Sequence, residues 1–190
     1  MERLGEVPFD EVLAAYRGDH PRDRPHEANS NGDGEENLER AERMLGTWSR
    51  VRLTAREALG VVLPWHLAEG GARELVPRTG LTVARAAEVL RRGGPELARA
   101  NPVCAAKLDL LARAPFTPVY LSTRPVDHDD YADLRVRGGL VHLDGLHRML
   151  AWELAGRLGP GTRLTAFVAG LPGTAPPRPR PGTPTAERRT

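Results

Sequence analysis

The chain is poor in the residues that would tie it to several common protein classes. It has one cysteine, Cys104, which excludes an internal disulfide and fits a reducing compartment. No stretch approaches the ~18 uninterrupted apolar residues of a membrane span. The opening MERLGEVPFDEV carries charges where a signal peptide would be apolar, so a cytoplasmic protein is expected. Lysine is almost missing: Lys107 stands alone among many arginines, a bias that fits a high-GC bacterial genome more than any physical demand. Neither sign of charge dominates. The formal net charge is +2, and Arg178, Arg180, Arg188 and Arg189 against Glu187 place the positive excess in the last residues, leaving the rest slightly acidic. With no basic body and no pair of helices of the helix-turn-helix kind, DNA binding has no support.

What is present suits a single globular domain over residues 1–171, since 190 residues suffice for one real core. From Pro172 the chain turns to Pro, Gly, Thr and Arg, and residues 172–190 are expected to be disordered. Residues 1–115 read as mainly helical. Helices are predicted from Phe9 to Arg17 and from Asn37 to Leu45, the second stopped by Gly46. Val51 and Leu53 alternate with arginines in a short strand-like piece, and Thr54–Glu57 is a capping box opening a helix through Leu59, Val61 and Val62. Thr82 caps a further helix ended by Gly93-Gly94, and Asn101-Pro102 opens one running to Ala114. Strands are predicted near 118–123, 139–143 and 164–168. The fold class expected is α+β, a small mixed sheet packed by helices behind a helical N-terminal portion.

Three places outside the helices and strands hold residues that could do chemistry. His26, Glu27, Asn29, Asn31, Asp33, Glu35 and Glu36 fall within eleven residues. Their composition is that of a linker, and equally of a loop offering oxygen ligands to Mg²⁺ or a polar substrate. The order of acids does not fit the twelve-residue calcium loop. Asp127, His128, Asp129 and Asp130 form a second run, either a solvated turn or part of a Mg²⁺ site. Trp65-His66 precedes a glycine pair and could line a pocket, although a packed Trp beside an exposed His is the ordinary arrangement. Cys104 falls within a predicted helix and reads as a small core residue rather than a nucleophile.

The chain is organised around Gly138–Arg157, GGLVHLDGLHRMLAWELAGR. Leu140 to Leu143 alternates as a strand, Asp144-Gly145 breaks it, and Leu146, Leu150, Ala151 and Leu154 then recur at helical spacing. A strand, a glycine turn and a helix form a simple anion-holding device. The first helical amides lack intrahelical partners and the helix dipole is positive there. Gly145 would let a ligand approach the backbone, and His147 and Arg148 could donate to phosphate oxygens. A capping Asp144 and a solvated Arg148 are the plainer reading of the same residues.

Asp144-Gly145-Leu146-His147-Arg148, with the helix to Gly156, resembles the signature of the ParB/sulfiredoxin-like superfamily. Phe116–Ser122 and Leu164–Ala169 resemble that superfamily's flanking strands, so the likeness covers residues 102–170. Leu146 stands where sulfiredoxins carry their reactive cysteine, which removes that chemistry. No DNA-binding segment of the ParB kind follows Gly170. The nearest branch carries D-G-x-H-R and includes kinases of free serine. The resemblance implies ATP or CTP binding with Mg²⁺ and phosphoryl transfer to a small metabolite, in bacterial small-molecule metabolism. Gly145, Leu146, His147 and Arg148 would bind phosphate. Asp144 and His147 would act in catalysis, with Glu27 or a carboxylate of the 127–130 run as base, and Asp144 with Asp129 would hold the metal. Two alternatives use the same cradle: a nucleotide-binding regulatory module without chemistry, and a protein that binds an anionic metabolite in another biosynthetic step.

Overall fold

The computed structural model describes residues 1–20, 31–67 and 73–173. It is an α+β fold, as expected. Seven strands form one mixed sheet in the order β1-β2-β9-β7-β8-β3-β6. These are β1 (Glu2–Val7), β2 (Trp48–Thr54), β3 (Val62–Leu63), β6 (Leu81–Thr82), β7 (Val119–Ser122), β8 (Val141–Asp144) and β9 (Arg163–Ala169). A separate two-stranded ribbon pairs β4 (His66–Leu67) with β5 (Glu74–Val76).

The side-chain alternation of the central strands explains why both faces are covered. In β9, Leu164, Ala166 and Val168 enter one core cluster, while Phe167 and Ala169 enter the other. In β7, Val119 and Leu121 face the first cluster and Tyr120 the second. The first cluster is completed by α3 (Ala55–Leu59), α4 (Val83–Ala100), α5 (Pro102–Arg113) and α6 (Leu146–Leu154). The second is completed by α1 (Phe9–Asp19) and α2 (Asn31–Leu45). The sheet therefore lies between two helical layers.

The three strands expected in the C-terminal half are present as β7, β8 and β9. The N-terminal portion differs from the expectation, because it supplies β1, β2, β3 and β6 to the same sheet. The Thr54–Glu57 capping box forms, with Glu57 N–H donating to Thr54 Oγ1 at 3.3 Å and Thr54 N–H to Glu57 Oε2 at 2.8 Å. Its helix nevertheless stops at Leu59, because Val62 leaves to pair in parallel with Val141 of β8. β-branched residues at a sheet centre satisfy strand pairing better than a helix continuation. Gly94, at φ 48° and ψ −144°, kinks α4 rather than ending it, and Pro95 restarts the helix. Asn101 does not cap α5: its Nδ2 donates back to Leu97 O at 3.2 Å, leaving Pro102 as the start signal. Helix α2 begins at Asn31, ahead of the predicted Asn37.

Candidate functional site

The strand–glycine–helix junction forms as read: β8 ends at Asp144, Gly145 turns, and α6 begins at Leu146. It opens on a cavity of about 750 Å³, within the range of small-molecule sites. Both helical layers contribute to the wall, with Asp19 and His20 from one side and Lys107 and Arg113 from the other.

Within the junction, the residues expected to cradle phosphate mostly bind the protein itself. Gly145 sits at φ +110°, and a Cβ there would lie 2.8 Å from Val119 Cγ1. The glycine answers to a left-handed turn and to the neighbouring strand, rather than to the approach of a ligand. The Leu146 amide donates to His142 Nε2 at 2.9 Å. Arg148 is buried, and its Nη1 donates to Thr117 Oγ1 at 2.7 Å and to Pro118 O at 2.6 Å. Its Nη2 donates to Asp144 Oδ2. His147 turns away from the junction, with Nε2 3.4 Å from Cys104 Sγ.

Asp144 is the best-defined charge in the cavity. His20 Nε2 lies 3.0 Å from the same Oδ2 that Arg148 contacts. The other nitrogen, His20 Nδ1, lies 2.7 Å from Tyr16 O, and its ring stacks on Tyr16 at a 4.0 Å centroid distance. Both His20 nitrogens therefore face oxygen acceptors. Burial opposes ionisation of Asp144, but the Arg148 guanidinium and the His20 contact outweigh it and hold the carboxyl well below the usual carboxylate range. His142 behaves oppositely. Burial, reinforced by His66 and Arg148, pushes it down to about 4 against the pull of Asp144. Because His142 Nε2 accepts from Leu146, its proton sits on Nδ1. That N–H is buried without a partner among the described residues, an arrangement that a bound acceptor would relieve.

The Mg²⁺ pair expected from sequence does not assemble. Asp129 is exposed on the 3₁₀ turn Asp129–Tyr131 and is not part of the cavity wall, whereas its neighbour Asp130 is. Asp144 Oδ2 already lies against both the Arg148 guanidinium and His20 Nε2. A site built on two convergent carboxylates is therefore not formed by Asp129 and Asp144. Glu27, the candidate base, lies outside the described residues.

Two residues of the wall that carry no role in the reading of the sequence stand out, His20 and Lys107. His20 ends α1, where nothing in its neighbourhood pointed to Asp144. Lys107 is buried, an unusual state for the only lysine of the chain. Trp65-His66 was noted as a pocket candidate, and His66 does line the cavity, while Trp65 Nε1 donates to Glu74 Oε1 at 2.8 Å. Cys104 is buried as expected, yet it stands between two histidines, with His66 Nε2 3.9 Å from its sulfur.

The fold is α+β, a mixed sheet between two helical layers, with a cavity of about 750 Å³ at the strand–glycine–helix junction. The chain belongs to the Family of unknown function (DUF6309), which it matches over residues 1–188. No curated protein and no solved structure matches it. Among the described residues no helix is long and apolar enough to cross a membrane.

Proposed function

We propose that this protein holds a nucleotide in the 750 Å³ cavity and transfers its terminal phosphoryl group to a small hydroxyl-bearing metabolite in the cytoplasm. An amino acid such as serine is the acceptor suggested by the resemblance to the ParB/sulfiredoxin-like superfamily. The observation that carries the reading is Asp144, a carboxylate held ionised at the mouth of a strand–glycine–helix turn that opens on the cavity. Phosphoryl transfer is largely positioning and charge neutralisation. Lys107 and Arg113 supply positive charge to the opposite wall, and the unpaired His142 Nδ1–H offers a donor. Asp144 would orient the acceptor through its hydroxyl or ammonium group. No step is assigned to Mg²⁺, whose expected ligands do not converge.

A second reading is favoured by a specific observation. Lys107 and Arg113 in the cavity wall suit a pocket that binds an anionic metabolite without phosphoryl transfer. The two are separated by titrating the protein with ATP and CTP, followed by mass spectrometry of serine-containing reactions. Phosphotransfer predicts saturable nucleotide binding that Arg113→Ala weakens, and a phosphorylated product that Asp144→Asn abolishes while binding persists. Binding without product, with any acceptor, points to a regulatory module. No response to either nucleotide, together with binding of a phosphorylated or carboxylated metabolite, would replace the proposal with the second reading.

A further inference from the structure

Against the cavity wall stand three atoms of a kind that metals select. His66 from β4, Cys104 from α5 and His147 from α6 each offer one ligand atom, and these lie within 4.8 Å of one another. Nε2 of His147 is 3.4 Å from Cys104 Sγ, and Nε2 of His66 is 3.9 Å from it. A tetrahedral zinc ion, with Zn–S near 2.3 Å and Zn–N near 2.0–2.1 Å, separates its sulfur and nitrogen ligands by about 3.6 Å. The two distances in the protein bracket that value. The imidazole rings meet edge to face at a 5.0 Å centroid distance, so neither ring blocks the space between the ligand atoms.

We propose that His66, Cys104 and His147 form a binding site for a divalent transition metal, zinc by preference, with a fourth position open to the cavity. The donor set supports the choice. One thiolate and two imidazoles suit zinc, cobalt(II) or iron(II), and are unsuited to Mg²⁺ or Ca²⁺, which take oxygen ligands. Placement supports the open position. His66 and His147 line the large cavity, whereas Cys104 reaches the cluster from behind and instead lines a smaller pocket of about 180 Å³. A metal held by the three would have protein on the sulfur side and the cavity on the other. Three-ligand sites of this kind keep water or substrate in the fourth place.

A nucleophilic role for Cys104 fits less well. A thiol that attacks a substrate must be reached by it, and Cys104 is 1% exposed. A metal needs only the lone pair. The site gives His147 a role different from the catalytic one that the resemblance implies, and metal content reads that role without reference to phosphoryl transfer.

The test uses the untagged full chain, stripped with a chelator, reconstituted with zinc sulfate and analysed by inductively coupled plasma mass spectrometry after dialysis. About one zinc per chain is expected for the parent, and less than about a tenth for Cys104→Ser and for His66→Gln. Cobalt(II) should give a sulfur-to-cobalt charge-transfer band that Cys104→Ser loses. Zinc should raise the melting temperature of the parent by roughly 5 °C or more, and of neither variant. Circular dichroism of each variant checks its fold. His66→Gln, at a half-buried position, carries the test should Cys104→Ser fail to fold. A parent that retains no zinc or cobalt, or zinc retained equally by both variants, would overturn the proposal.

Discussion

The two ends of the cavity solve the burial of polar groups in opposite ways. At the Asp144 end the groups are already matched: a carboxylate, a guanidinium held by Thr117 and Pro118, and the His20 ring. At the Cys104 end burial, reinforced by His66 and Lys107, pushes the His147 imidazole toward its uncharged form. A closed ion-pair network resists change, since removing one partner strands the other. One thiol and two imidazoles instead offer the donor atoms that a transition metal takes. The first end looks built to hold its shape, and the second to acquire something.

That contrast can be broken most forcefully at Arg148. Arg148→Met would leave Asp144 with His20 alone, and a loss of about 3–5 kcal/mol in unfolding free energy is expected from urea denaturation. Asp144→Asn combined with Arg148→Met should cost less than the two single losses added together. Additive losses would mean that the pair is not a unit.

Next in size is the pH dependence. Unfolded His142 takes up a proton near its ordinary value of 6.5, while the folded group resists it down to about 4. The folded state therefore binds fewer protons in this window, so stability falls as pH drops from 6.5 toward 4. The loss approaches roughly 3 kcal/mol. Asp144, depressed in the fold, adds stability above the ordinary carboxylate range and begins to lose it only as the pH falls through that range. His142→Gln retains an acceptor for Leu146 and should remove about 1.4 kcal/mol per pH unit of slope between pH 6 and 5. An unchanged slope in urea midpoints would show that His142 does not resist protonation.

The smallest effect concerns the hinge between the two ends. Gly145→Ala forces a Cβ onto Val119 and strains a backbone at φ +110°, at a cost of about 2 kcal/mol. Val119→Ala in that background should restore part of the loss, because the clash is relieved while the dihedral strain stays. Full recovery in thermal melts would assign the whole cost to packing.

The junction itself was legible because its signals are local: an alternating run, a D-G turn and a helical repeat lie consecutively. The strand pair around it was legible for the same reason. Strand β1 was not, because Glu2, Arg3 and Glu6 on an edge strand half open to solvent mimic a polar terminus. The capping box at Thr54 was read correctly, but the length of its helix was settled by Val62 pairing with Val141, seventy-nine residues away in the chain. The cluster of His66, Cys104 and His147 was invisible for a related reason. Three segments carry one ligand each, so no spacing in the sequence marks it. The phosphate cradle was over-read, since a sequence does not show that Arg148 and the Leu146 amide already have partners.

The position of β9 has a consequence in time. This strand pairs with β2 on one side along Trp48–Thr54 and with β7 on the other. The edge pair of β1 and β2 thus has no connection to the remaining sheet until β9 is in place. Such long-range closure is slow compared with helix formation. During synthesis the aliphatic faces of β2 and β7 wait, uncovered along that edge, for Arg163–Ala169 to emerge. Among the described residues, the two parts of the sheet are joined only through β9.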